Sequence, residues 1–284
     1  MKKLKESDLQ IGDILIFEDF HFNPLTFLEK CRDGKKEAFY YLLHYLIAWF
    51  DPGKEGENYR NIYHAGIWGN VDIHLHNKEA HSSFQDCVVQ AGGNGIGIAT
   101  LNDTLAHEAV MNVYVCRLKN RPVNFHQEIN QSIRNFYKTK GHYSFETAWL
   151  LAAICSLRYT KGTLHKLIAD YFGNDQANYI VEQILYHINE FNNLNQKDMV
   201  ACSPLVAMMY KNAGYELAVN VFEVFKNDEL TLPNFSLNEL HKNFITNMSS
   251  ISENWPPIKE TVVTPRQLLE SPDVELIGYL PHTK

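Results

Sequence analysis

Cysteine is scarce in this chain: five in 284 residues, with no CxxC pair among them. So few and scattered thiols exclude a disulfide framework and a cysteine-rich zinc site, and they fit a reducing compartment. Charge of one sign is never concentrated. The 26 basic and 33 acidic residues leave a net charge of −7 without a long block of either. That pattern excludes a nucleic-acid footprint and gives no reason to expect a bulk acidic partner. Long hydrophobic runs are also missing. The strongest, Phe39–Phe50, is too short to cross a bilayer as a helix. Behind the basic start MKKLKESDLQIGD there is no apolar stretch of signal-peptide length. The expectation is a cytoplasmic protein with no transmembrane segment, with signal-less secretion as an effector the other route consistent with the same features. Low-complexity segments and internal repeats are absent.

What is present is ordinary globular material, 45% hydrophobic and 21% charged. The length suits a single domain spanning 1–284 with helical insertions. Clustered β-branched and aromatic residues between turn signals predict strands at Gly12–Phe17, Tyr63–Trp68, Asp86–Ala91 with a sequel at Gly95–Leu101, Asn112–Leu118 and Val274–Leu280. Apolar spacing of three and four predicts helices at Pro24 to about Phe50, His126–Lys138, Ser144–Arg158, Thr163–Phe172, Asp175–Phe191 and Cys202–Asn212. Gly214 suits the position after the last of these. Ser236 and Glu239 form a capping-box pattern, and Thr264-Pro265 reads as an N-cap followed by proline at N1. Strands first, helices later and a closing strand predict an α+β fold, with insertions at about 24–50 and 159–198.

Cys202 opens the helix in ACSPLVAMMYKNAGY, with Pro204 tolerated in its first turn. Unpaired N–H groups and the macrodipole at a helix start are expected to lower a thiol's pKa and to suit a developing oxyanion. A packed, inert cysteine is the plainer reading of position alone. His64 lies in NIYHAGIW, where Ala65 and Gly66 leave room beside the ring for a helix end or a substrate. Its imidazole could deprotonate the Cys202 thiol and return the proton to a leaving group. Gln90, on the next strand, could accept the other ring N–H and fix the tautomer, although an amide stabilises imidazolium less than a carboxylate does.

Read in order, LQIGDILIF, IYHAGIW, VVQAGGNGIGIATL, VYVCRL, HYSFETAWL, ACSPLVAMMYKNAGY and VTPRQLLESPDVELIG resemble the successive blocks of the circularly permuted papain-like proteins. These are the YiiX/YaeF-like relatives of the NlpC-type cell-wall peptidases. The resemblance covers about a third of the residues. It implies an antiparallel sheet or small barrel packed on helices, with the histidine strand preceding the cysteine helix. It also implies Cys202 as nucleophile, His64 as base and Gln90 where the family often has an acidic residue. Tyr143, Tyr63 and Ser203 become candidate substrate contacts, and Asp13 a structural residue near the site, its carboxylate tying down backbone N–H groups. Two positions depart from the family pattern. Ser144 stands where an aspartate is common, and Pro204 where a polar or acidic residue is usual.

Other motifs are weaker. His74, His76 and His81 with Glu79 lack a recognised metal-ligand spacing and read as a hairpin insertion. Gly92-Gly93-Asn94-Gly95 and Gly97 precede a strand pattern rather than a helix, so a turn is the better reading than a phosphate cradle. The Phe39–Phe50 helix is a buried element or one wall of an acyl-chain pocket. The expectation is a cysteine hydrolase of amidase or peptidase type, requiring no cofactor or metal, acting on a small-molecule, peptide or acyl-lipid substrate. A lipid acyltransferase or phospholipase of the lecithin–retinol type, or a non-catalytic lipid- or peptide-binding module, is the alternative.

Overall fold

The computed structural model describes residues 1–19, 47–48, 61–74, 81–92, 95–139, 165–166, 169–170, 173–175, 177–182, 202–218 and 263–283. The elements in chain order are β1 (Ile14–Glu18), β2 (Ile62–His74), β3 (His81–Gly92), β4 (Gly95–Ala99), α1 (Leu101–Leu105), β5 (Asn112–Leu118), α2 (Phe125–Thr139), α3 (Cys202–Asn212), α4 (Pro265–Leu269) and β6 (Val274–Pro281). The strands form one sheet in the order β4-β3-β2-β1-β5-β6, antiparallel at every step. This is the α+β class expected. The helix expected over Ser144–Arg158, the capping box at Ser236 and most of both insertions lie outside the described residues. Positions 165–166, 169–170 and 177–182, within two other expected helices, are helical.

Local chemistry explains where elements begin and end. β2 and β3 run on into the expected hairpin insertion, so that His74 pairs directly with His81. β4 stops at Ala99 rather than Leu101 because Thr100 caps a helix that periodicity does not reveal. The Thr100 hydroxyl accepts the Asp103 N–H at 3.1 Å and donates to the Asp103 carboxylate at 2.7 Å. At the end of α3, Gly214 takes a left-handed φ of +87°. That turn lets the Tyr215 N–H reach back to the Tyr210 carbonyl at 2.9 Å. Thr264 caps α4, reciprocated by the Gln267 side chain, with Pro265 at N1.

The core lies between one face of the sheet and helices α2 and α3. Ile14, Ile16, Ala65, Ile67, Val89 and Cys116 line that face. Helix α2 meets it with Phe125, Ile129 and Ile133, a stripe at four-residue spacing with no exposed surface. Each such side chain contributes about 1.5–3 kcal/mol by leaving water. The helix sits close because glycine lies beneath it: a Cβ on Gly69 would come within 2.6 Å of Ile133 Cδ1. Helix α3 buries Leu205, Val206, Met209 and Tyr210 in the same layer. The Tyr210 hydroxyl donates to the Gly12 carbonyl, tying α3 to the entry of β1.

That entry is held by Asp13, whose carboxylate is fully buried. Arg117 on β5 donates to both its oxygens, at 2.9 and 2.7 Å, and Arg121 donates to Oδ1 at 2.5 Å. The Gln10 N–H completes the set at 2.8 Å. The backbone tie is the one expected of Asp13; the two guanidiniums were not legible. Arg121 also lies over the Phe125 ring, 4.9 Å from its centroid. One carboxylate therefore joins β1, β5 and the start of α2. Removing it would strand two largely buried cations. Asp13→Ala is expected to cost about 3–5 kcal/mol in urea unfolding; a loss below about 1 kcal/mol would contradict this role.

Candidate active site

His64 stands on β2 at an irregularity. Phe17 pairs with His64 but Glu18 pairs with Ile62, leaving Tyr63 as an extra residue. A bulge of this kind places two residues opposite one and re-aims their side chains. The Phe17 ring accordingly meets both, edge-on at 5.0 Å from His64 and 6.5 Å from Tyr63. The Tyr63 and His64 rings stack at 5.9 Å, a contact that strict alternation along a strand would prevent.

On the neighbouring strand, Gln90 pairs with Gly66, and the His64 Nε2 lies 2.9 Å from the Gln90 Oε1. The amide oxygen can only accept, so Nε2 carries the proton and Nδ1 keeps the lone pair. A Cβ on Gly66 would come within 3.2 Å of the Val89 carbonyl and 3.4 Å of the Gln90 Cβ, so glycine leaves the two strands close at this point.

Cys202 is the first residue of α3 and is 1% exposed. The backbone N–H groups of Ala65, the residue after His64, of Ser203 and of Cys202 itself favour its thiolate form. Of the two small residues after the histidine, Gly66 is the one that pairs with Gln90 across the strands. Among the described residues no hydrogen bond joins the Cys202 sulfur to the His64 ring.

The electrostatics differ from the sequence expectation. Burial pushes the Cys202 thiol up to about 11, outweighing the backbone N–H groups that lower it. The lowering expected of a helix start is present but smaller than the cost of burying a charged sulfur that keeps almost no contact with water. Cys87, whose thiol donates to the Gly69 carbonyl at 3.1 Å, is also pushed up to about 11, so position rather than resting ionisation distinguishes Cys202. Burial depresses the His64 imidazole to about 4; the Gln90 hydrogen bond raises it in part, and the nearby His107 lowers it. Thiol and imidazole are therefore both neutral at neutral pH.

The other expected residues fall in different places. Tyr63 is 4% exposed, and its hydroxyl is pushed well above its ordinary range by burial and then by the charges of Asp19 and Cys202. It walls the histidine ring. The Ser203 hydroxyl is buried and donates to the Val263 carbonyl at 2.6 Å, which fastens α3 to the approach of α4. Asp13 lies just before the start of β1, whereas His64 pairs with Phe17 near its other end, about 13 Å along the strand. Tyr143, His76 and Glu79 lie outside the described residues, among which no His, Cys, Asp or Glu cluster could hold a metal ion. Among the described residues no helix is long and apolar enough to cross a membrane. Phe17 and His107 were missed, since register and loop course bring them to the histidine and neither is written in local pattern.

The depressed imidazole pKa links His64 to stability. Between its ordinary value of 6.5 and about 4, the unfolded chain holds a proton that the folded chain refuses. The contribution is intact above 6.5 and is lost as pH falls toward 4. Urea titrations are expected to show wild-type stability dropping across that window and a shallower drop for His64→Gln; equal slopes would contradict the burial of a neutral imidazole. No protein-family model matches the chain, and neither a curated protein nor a solved structure matches it.

Proposed function

We propose that the protein is a cysteine hydrolase that cleaves an amide, ester or thioester through an acyl-enzyme on Cys202. The observation that carries this reading is the meeting of two elements: the helix that opens on Cys202 packs against β2, the strand of a histidine whose Nε2 is held by Gln90. A histidine strand preceding the cysteine helix, with both on one antiparallel sheet, also supports a permuted papain-like fold.

The resting pair is neutral, so deprotonation accompanies attack. His64 Nδ1 takes the thiol proton as the sulfur–carbon bond forms, and the carbonyl π pair moves onto oxygen. N–H groups of Cys202 and Ser203 are suited to that oxyanion. The imidazolium then gives its proton to the leaving group as the carbon–heteroatom bond breaks, and water releases the acyl group by the reverse sequence. Gln90 accepts from Nε2 throughout and keeps the ring in one orientation. An amide in place of a carboxylate fits an imidazolium that forms only transiently.

Turnover of a panel of peptide, N-acyl and lysophospholipid substrates tests this reading. Cys202→Ala is expected to abolish turnover, and His64→Ala to lower kcat by about 10²–10⁴. Equal turnover in wild type and Cys202→Ala would sink the proposal. The neutral pair makes a second expectation. Iodoacetamide labelling of Cys202, which needs thiolate, should keep rising from neutral pH toward 11, whereas a plateau already present below pH 7 would mean a resting thiolate–imidazolium pair.

A further inference from the structure

At its end β1 meets its two neighbours differently. Against β5 the register is regular through Glu18↔Asn112, whereas against β2 it shifts between Phe17 and Glu18. Alternation places Glu18 on the face of Ile14 and Ile16, where it is 2% exposed. A carboxylate there is costly unless it is hydrogen-bonded. β5 supplies donors to its Oε2, the Asn112 Nδ2 at 2.7 Å and the Tyr114 hydroxyl at 2.8 Å. The Met111 N–H donates to the Glu18 carbonyl at 2.8 Å. These bonds tie the end of β1 to β5 and its approach. On the other side, the Asp19 N–H donates to the carbonyl of Asn61 at 3.0 Å. Asn61 takes a left-handed φ of +58°, which asparagine tolerates better than most residues. That bond and the Phe17–His64 pair bracket the extra residue, Tyr63.

We propose that Glu18 is a positioning residue for His64, pinning the end of β1 to β5 so that the mismatch falls on Tyr63. This rests on the reading of His64 as base. With the end of β1 held, β2 must carry one residue more than β1 between the two bracketing contacts. Were β1 released, Glu18 could pair with Tyr63 in regular register. Alternation would then turn the Tyr63 ring away from His64. The imidazole would lose the ring stacked on it at 5.9 Å, one of the contacts that hold it beside Phe17 and Gln90. In this role Glu18 acts through the bulge and not on the reacting atoms.

Heteronuclear NMR of the His64 ring reads this placement without turnover. In the wild type, Nε2 is expected to carry the proton in a single tautomer, with cross-relaxation to the Tyr63 ring. In Glu18→Ala the ring should show averaged tautomers and lose that cross-relaxation. There kcat should fall about tenfold or more with KM little changed. Both side-chain bonds end on one oxygen, so the amide oxygen of Glu18→Gln can accept them, and this variant should restore the wild-type signals. Unchanged His64 signals in folded Glu18→Ala, or a Glu18→Gln no better than Glu18→Ala, would overturn the proposal.

Should Glu18→Ala fail to fold, Tyr114→Phe decides, because it removes one donor to the carboxylate and keeps the ring. The Tyr63–His64 cross-relaxation is expected to weaken, and its full persistence would overturn the proposal equally. The two readings separate cleanly. Ring placement that depends on Glu18 in a protein without turnover removes the hydrolase reading alone. Turnover that needs Cys202 and His64, with His64 signals indifferent to Glu18, removes this one alone.

Discussion

A carboxylate with no exposed surface is among the costliest groups a fold can hold, and Asp13 is one. Its charge is matched by two guanidiniums from β5 and the segment after it, and by the Gln10 N–H. The rest of the architecture follows from satisfying it. Arg121 lies over Phe125, the first residue of α2, and the neighbouring Gly12 carbonyl takes the Tyr210 hydroxyl of α3. Strand, sheet neighbour and both core helices are thereby referred to one point. The cysteine helix reaches the histidine strand in a set position because its own tyrosine is anchored there.

Burial also governs the chemistry. The same dry surroundings that close the core raise the thiol and depress the imidazole, leaving a neutral pair where a helix start by itself suggests an ion pair. A partner such as Gln90 matches that condition. It orients the ring without placing a second charge in the core, which would demand its own compensation. Under the proposed mechanism, charge develops only when a substrate carbonyl is present to receive the sulfur.

The fold was legible where local signals are strong. Cys202–Asn212 has its expected bounds, Gly214 ends it as foreseen, and Thr264-Pro265 caps a helix. The His64–Gln90 hydrogen bond was also within reach, since a histidine followed by two small residues and a glutamine on the next strand suggest the pairing. Features that depend on distant register were not. The bulge that stacks Tyr63 on His64 needs β1 alongside β2, and the two arginines on Asp13 sit more than a hundred residues along the chain. The thiol pKa was misjudged for a related reason: a helix start is visible in sequence, whereas the layers that exclude water from it are not.

The central claim is that the Cys202 sulfur takes up an acyl group with His64 as its base. Intact-protein and peptide mass spectrometry after exposure to an activated acyl ester measures this directly. The account predicts a single acyl adduct mapped to Cys202, absent in Cys202→Ala and formed far more slowly in His64→Ala. An adduct spread over Cys87 and Cys116 as readily as over Cys202, or one formed at the same rate without His64, would contradict it.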